Sequence, residues 1–212
     1  MRDFPFFTTE NGVASIYLNQ VPYRGTAYIR IRSASDPEAL LEECVGFCRA
    51  VEAKSVYAAD HEILSGYPVH TSVIQMCCRK DSLPDTDAAL FPVQKETLSQ
   101  WRELYNMKMR DVDGASYMTI LDGERLLKAG NGYFVHRGDV LLGIGIAAGE
   151  RIDAVTACVP GAGRDVVLAL AHAISGETVC LEVASTNTRA VRLYGCLGFI
   201  AAKEVICWYK IF

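Results

Sequence analysis

The order of regular segments in the second half of the chain constrains the fold most strongly. Three short apolar segments, 132–137, 140–148 and 151–159, follow one another, and only tight turns containing Gly138 and Gly149 separate them. Brief adjacent strands of this kind are typical of an antiparallel meander. An apolar helix, a strand, a second helix and more strand follow. Strands and helices in this order predict a mixed, mostly antiparallel α/β sheet flanked by helices.

Periodicity and turn signals predict the remaining segments of this half. They are a strand at 90–94, helices at 95–110, 119–129 and 165–174, a strand at 178–184, a helix after Asn187, and a final pair of strands within 200–212.

The first half repeats the order of strands, helix, strand, short helix and strand. The predicted strands lie at 13–18, 27–32, 55–59 and 70–78, an amphipathic helix follows Ser35 or Asp36, and a short helix lies near 61–66. The polar segment RKDSLPDTDA, residues 79–88, has the composition of a linker. We therefore predict two domains in tandem, a partial one at 1–82 and a complete one at 88–212.

Charge and hydropathy argue against several functions. The net charge is −4, and no basic cluster occurs that would bind the backbone of a nucleic acid. The chain has no run of about 18 apolar residues, so we expect no membrane span. The first ten residues also lack the apolar core of a signal peptide. The expectation is a cytoplasmic protein without nucleic acid or membrane partners.

The eight cysteines occur in apolar segments, and no two of them form a CxxC pair. This pattern predicts reduced core residues rather than a disulfide framework. Cys44 and Cys48 are one helical turn apart, but no histidine or third cysteine lies near them in sequence. Packing is the favoured interpretation for this pair, and no metal site is expected.

The segment LEVASTNTRAVRLYGCLGF, residues 181–199, places two polar groups on the apolar face of a short helix. At 100° per residue, Asn187 and Tyr194 share that face with leucine, valine and alanine side chains, whereas Arg189 and Arg192 point away. A buried amide or hydroxyl without a partner costs about 1–3 kcal/mol. Each of the two polar groups must therefore meet backbone, water or a ligand.

This segment resembles strand five and helix four of the GNAT superfamily of acyl-CoA-dependent N-acyltransferases. The motif N-x-x-A-x-x-L-Y-x-x-x-G-F is present as Asn187, Ala190, Leu193, Tyr194, Gly198 and Phe199. The resemblance covers about the last 125 residues, and the first half resembles a degenerate copy. It implies acetyl-CoA as co-substrate, with Asn187 contacting the pantetheine region and Tyr194 protonating the departing thiolate. A tyrosine of ordinary pKa, about 10, stays protonated at neutral pH and can serve as that donor.

The resemblance also implies a seat for the cofactor's diphosphate ahead of helix three, where amides at a helix N-terminus bind anions. The residues assigned to it are Gly161, Ala162, Gly163, Arg164 and Asp165. The backbone of Ala157, Cys158 and Val159 is expected beside the pantetheine and thioester. Asp165 departs from the family pattern, which has a small residue there; we expect it to cap the helix and to repel a diphosphate. Arg164 is expected to compensate by reaching the phosphates.

The predicted activity is acyl transfer to an amine carried by a small molecule or peptide, and a homodimer is considered. An amine of pKa about 10.4 must lose a proton before it attacks. Asp153 and Glu150 are the carboxylates available near strand four, and Asp153 is the assigned base, although a solvated surface role is equally compatible with the sequence. The alternative function is a non-catalytic GNAT-fold binding or interaction protein that has lost acyl-CoA binding.

Overall fold

The structure, a computed structural model, describes residues 6–113 and 115–212. The chain divides into two compact units. The first comprises Met1–Ser72 and Val205–Phe212, and the second comprises Val73–Glu204. These divisions differ from the domain boundaries at 82 and 88 that composition predicts, because they fall inside two long strands and not in the polar segment between them.

The first unit is a sheet with one long helix. Its elements are β1 (Phe6–Thr9), β2 (Gly12–Tyr17), α1 (Val21–Arg24), β3 (Thr26–Ala34), α2 (Pro37–Ala50), β4 (Ser55–Ala59), a 3-10 turn (Glu62–Gly66), the beginning of β5 (Val69–Arg79) and the end of β11 (Ile200–Lys210). Strands β1, β2 and β3 are antiparallel neighbours, and β3 pairs with β4 in parallel. The end of β11 pairs antiparallel with β4.

Helix α2 follows from local signals that the sequence shows. Asp36 is its N-cap, and the carboxylate accepts a hydrogen bond of 3.0 Å from the Ala39 N–H. Pro37 occupies the first turn, where its missing N–H costs nothing. An apolar stripe that includes Leu40, Cys44 and other residues is buried against the sheet. The predicted helix and its cap are therefore present.

In the described residues, the second unit contains a mixed sheet and four helices. Its elements are the end of β5, β6 (Ala89–Pro92), α3 (Leu98–Lys108), α4 (Ile120–Ala129), β7 (Gly132–Arg137), β8 (Val140–Ala148), β9 (Arg151–Ala157), α5 (Gly163–His172), β10 (Thr178–Ala184), α6 (Thr188–Cys196) and the beginning of β11. The strand order within this unit is β5-β10-β9-β8-β7-β6. Neighbours are antiparallel except β9 and β10, which are parallel.

Two apolar clusters pack the helices of this unit against its sheet. One is formed by α5 and α6 with β9 and β10, and α5 is buried along its whole central part, Val166 to Ala171. The other is formed by α3 and α4 with β7 and β8, around the fully buried Trp101. The Trp101 indole N–H donates a 2.9 Å hydrogen bond to the Tyr133 carbonyl. The helices thus cover the sheet that positions the site described below.

The structure corrects two predictions. The segment 200–212 forms one strand, β11, and not a pair of strands, because its residues 200–210 contain no Gly, Pro, Asn or Asp that would turn the chain. The cysteines are not all reduced: Cys77 and Cys180 form a disulfide. The pairing of β5 with β10 brings these two residues directly opposite each other, although 103 positions separate them in sequence.

Candidate active site

A cleft begins where the parallel strands β9 and β10 part. In the described part of the chain, their ladder contains two residue pairs, Cys180 with Arg151 and Leu181 with Ile152. The next residue, Asp153, is an extra residue in β9, since Ile152 and Ala154 face consecutive residues of β8. A bulge of this kind bends its strand. The bend explains why β9 diverges from β10 after Ile152.

The backbone of β9 offers hydrogen-bonding groups to this cleft. The Cys158 N–H donates to the Leu142 carbonyl of β8 at 2.7 Å, and the Val159 N–H approaches the same oxygen at 3.4 Å. Since backbone groups alternate between the two sides of a strand, the peptide groups of Val155 and Ala157 are directed to the β10 side. Of the three predicted backbone contacts, Ala157 therefore faces the cleft, whereas the N–H groups of Cys158 and Val159 are engaged by β8.

The N-terminus of α5 follows this strand and presents a turn of unbonded amides. Gly161 has a φ of +85°, a left-handed conformation that favours glycine, and Ala162 is the N-cap. The first bond into the helix is from the Val166 N–H to the Ala162 carbonyl, at 3.0 Å. Among the described residues, the N–H groups of the first turn, 163–165, donate no backbone hydrogen bond. Three such groups together with the helix dipole are an arrangement that can bind an anion.

Two carboxylates beside this turn share one guanidinium, and the cap expected at Asp165 is wrong. Asp165 does not cap α5, because it lies in the third helical position, beyond the N-cap Ala162. Its carboxylate instead pairs with the Arg137 guanidinium at 3.1 Å, and Arg137 also pairs with Asp87 at 2.7 Å. Two carboxylates around one guanidinium leave a net charge of about −1. Arg164, the expected phosphate contact, is exposed on the first turn.

Helix α6 lies against the amide turn of α5. A Cβ atom added to Gly163 would come within 3.1 Å of the Leu193 side chain, so the two helices approach closely at this point. Asn187 is the N-cap of α6, and its side-chain oxygen accepts a 3.2 Å hydrogen bond from the Ala190 N–H. The cap uses the amide oxygen and leaves the side-chain NH₂ to donate to a ligand. Asn187 thus has a structural role in addition to the one that the motif predicts.

Tyr194 is buried in the cluster under α6, with 6% of its surface exposed. Its ring packs against Phe199, with 5.9 Å between the ring centroids. Burial raises the pKa of Tyr194 to about 12 because the phenolate would be poorly solvated. Among the described residues, the Tyr194 hydroxyl forms no hydrogen bond with another protein group. The side chain is therefore a neutral hydroxyl at physiological pH and retains a proton to donate.

Asp153 lies at the bulge where the cleft begins. Its carboxylate accepts a 3.1 Å hydrogen bond from Arg151, which also pairs with Glu182 of β10 at 3.1 Å. Arg151 thus spans the two strands at the point where they part. A carboxylate is a group that can accept a proton. Asp153 is about half exposed, so water reaches it.

Other residues near the cleft were not anticipated from the sequence. Asp113, in the segment between α3 and α4, accepts a 2.7 Å hydrogen bond from the Thr186 hydroxyl next to Asn187. Burial raises the pKa of Cys158, and the positive charge of Lys108 opposes that shift. The end of α3 and the segment after it are therefore held near both walls of the cleft. No local sequence signal marks these contacts, because 73 positions separate Asp113 from Thr186.

The outer face of α6 borders a shallow groove. Its lining residues are Thr188, Arg189, Arg192, Leu193 and Cys196. Both arginines are exposed, as the helical periodicity predicts. Among the described residues, no group of three or more His, Cys, Asp or Glu is arranged to hold a metal ion. Within the same residues, no helix has both the length and the apolar character of a membrane span.

Comparisons with known proteins identify the fold. No protein-family model matches the chain, and no curated protein matches it. Solved structures do match. A conserved protein of unknown function from Staphylococcus epidermidis aligns with a TM-score of 0.61 at 11% identity, over 99% of this chain and 94% of that one. A GCN5-related N-acetyltransferase from Sphaerobacter thermophilus aligns with a TM-score of 0.58 at 14% identity, over 93% and 75%.

A third match is a tandem GNAT protein from the clavulanic acid biosynthesis pathway, with a TM-score of 0.54, 13% identity, and coverage of 93% of this chain and 78% of that one. At these identities the matches show the fold. The chain has the mixed α/β fold of the GNAT superfamily, and a tandem GNAT protein is among its structural neighbours. The predicted fold class is confirmed.

Proposed function

We propose that the protein transfers an acyl group, most simply acetyl, from acyl-CoA to an amine on a small molecule or peptide. One observation carries this proposal. The bulge at Asp153 separates β9 from β10, and the resulting cleft leads to the unbonded first-turn amides of α5. An elongated ligand with a polar, amide-bearing arm and an anionic end matches this succession of backbone groups.

Several groups would hold acyl-CoA. The peptide groups of Val155 and Ala157 would bond the pantetheine amides as an added strand does, and the Asn187 NH₂ would donate to the same arm. The first-turn amides of α5, from Gly163 on, would bind the diphosphate, with Arg164 supplying charge. Bound there, acyl-CoA supplies an activated thioester carbonyl to the acceptor amine.

Tyr194 and Asp153 are the residues to which we assign proton transfer. The Tyr194 hydroxyl, whose pKa burial raises to about 12, holds its proton until a departing thiolate accepts it. Asp153, which lies 3.1 Å from Arg151, would accept the proton of the acceptor ammonium through water. The two roles need opposite protonation states, and burial favours the protonated state of Tyr194.

The alternative is a GNAT-fold binding or interaction protein that no longer binds acyl-CoA. The charge around Arg137 favours it, since Asp87 and Asp165 leave this ion-pair cluster with a net charge of about −1. The acyltransferase interpretation is preferred because the amide turn, the splayed strands and the α6 motif are all retained. The choice between the two rests on whether acyl-CoA binds.

Thermal denaturation in the presence of acetyl-CoA or CoA tests the proposal. A ligand at about 100 times its Kd stabilises the folded state by about 2.7 kcal/mol. For a chain of this size, that corresponds to a rise in Tm of roughly 5–10 °C. No shift at millimolar acetyl-CoA would refute the acyltransferase function and favour the alternative.

Substitutions of Asn187 separate binding from folding. Asn187→Asp retains the oxygen that caps α6 but loses the NH₂ donors, whereas Asn187→Ala loses both and should cost about 1 kcal/mol of stability. We expect both variants to bind acetyl-CoA more weakly, although only the alanine variant unfolds at lower temperature. Normal affinity of the aspartate variant in calorimetry would remove Asn187 from the ligand site.

A further inference from the structure

The disulfide between Cys77 and Cys180 lies on the strand that forms one wall of the candidate cleft. All seven residues of β10 pair with β5, and Cys180 is opposite Cys77 in that ladder. The two Cα atoms are 4.1 Å apart. The bond therefore joins the two neighbouring strands covalently at a point where they already pair.

Cys180 also contacts β9, the strand on the other side of the cleft. Its N–H donates a 2.8 Å hydrogen bond to the Glu150 carbonyl, just before β9, and it forms one of the two residue pairs between β9 and β10. One residue thus links three strands at the base of the cleft. Since β9 and β10 share only this short ladder in the described residues, the position of β10 depends on its attachment to β5.

The other thiols in apolar surroundings are chemically protected, in contrast to this pair. Burial raises the pKa of Cys44 to about 12 and the pKa values of Cys48 and Cys78 to about 11, so their reactive thiolates are scarce. Cys77 and Cys180 are both only half-buried. A partly exposed disulfide is accessible to thiol exchange, whereas Cys78, the neighbour of Cys77, is on the opposite face of the strand.

We propose that the Cys77–Cys180 disulfide is a redox-controlled clamp on the base of this cleft. A dithiol reductant attacks the bond through a mixed disulfide, two electrons and two protons pass to the cysteines, and the reductant leaves as its own disulfide. Reduction frees β10 from its covalent link to β5 and loosens its short ladder with β9. The consequence for acyl-CoA rests on the proposed function: the reduced form binds the ligand more weakly than the oxidised form.

Amide hydrogen exchange on the full chain, with and without dithiothreitol, tests the clamp without requiring a ligand. The Cys180 and Leu181 amides are expected to exchange at least about tenfold faster after reduction, because local opening becomes easier. A Cys77→Ser, Cys180→Ser double variant should show the fast rates under both conditions. Cys207→Ser, which removes a thiol of the first unit, should respond to dithiothreitol as the unaltered chain does.

Acetyl-CoA titration of the oxidised and reduced chain provides the second readout, and a several-fold weaker affinity after reduction is expected. Exchange rates that reduction leaves unchanged would overturn the clamp, as would free thiols at Cys77 and Cys180 in protein equilibrated with oxidised glutathione. Faster exchange with equal affinities would overturn control of ligand binding. If acetyl-CoA binds neither form, the proposed function fails, whereas faster exchange in that same experiment still supports the clamp.

Discussion

Replacing Asp165 by Asn should tighten acetyl-CoA binding while weakening the helix that binds it. Asp165 is in the first turn of α5, the turn whose amides would hold the diphosphate. A carboxylate in that turn lies about one helical turn, roughly 6 Å, from an anion on those amides. At effective dielectrics of about 20 to 80, the repulsion is about 2.8 to 0.7 kcal/mol.

The surroundings place the effect toward the lower end of that range. The Asp165 side chain is 22% exposed, and Arg137, 3.1 Å away, neutralises part of its charge. A gain of about 1 kcal/mol, or roughly fivefold in Kd, is therefore expected. The same substitution removes a favourable interaction with the helix dipole, about 0.3–1 kcal/mol, so Tm should fall by no more than about 4 °C.

Calorimetric titration with acetyl-CoA and with acetylpantetheine, which lacks the diphosphate, provides the assay. The gain should appear with acetyl-CoA and be absent with acetylpantetheine. Asp87→Asn is the matched control, because it removes a carboxylate from the same Arg137 guanidinium outside α5; its gain should be smaller. Unchanged or weaker acetyl-CoA binding by the Asp165 variant would refute the placement of the diphosphate on this turn.

Three further predictions concern catalysis and packing. Tyr194→Phe keeps the ring against Phe199 and should slow acyl transfer by about 10²-fold or more at unchanged acetyl-CoA affinity. Because the acid works protonated and the Tyr194 pKa is raised to about 12, the unaltered protein should lose the contribution of this acid only near pH 12. A normal rate in the variant would exclude Tyr194 as the acid. Asp153→Asn should lower the transfer rate by a similar factor without lowering Tm by more than a few degrees, and an unaltered pH–rate profile would argue against it as base. Gly143→Ala would push a methyl group against the Thr156 carbonyl and Val166 of α5, and chemical denaturation should show a loss of about 1–3 kcal/mol; full stability would contradict the tight seating of α5 on the sheet.

Local sequence signals were sufficient for most of the fold. The N-cap at Asp36, the apolar stripe of α2, the meander of β7 to β9 and the strand-to-helix segment ending in Phe199 all occur where short-range patterns place them. Such patterns are reliable because helix caps, turn residues and apolar periodicity act over a few positions. The α6 motif likewise places Tyr194 on the buried side of its helix and Asn187 at the helix N-cap.

The candidate site was predicted less completely because its geometry depends on distant parts of the chain. The partner of Asp165 is Arg137 on β7, the partner of Thr186 is Asp113, and the bulge at Asp153 is defined by its register with β8. None of these contacts follows from neighbouring residues. The sequence indicated a cap at Asp165 because an acidic residue before an apolar helix usually is one.

The sequence by itself determined the classes of segment, their order and the resemblance carried by residues 181–199, since these depend on side-chain periodicity along the chain. Only the tertiary structure decided which backbone groups face the cleft, which charges surround the amide turn of α5, and that Cys77 meets Cys180 across 103 positions. Strand pairing and register bring these groups together, and both are set by the packing of whole elements and not by local propensity.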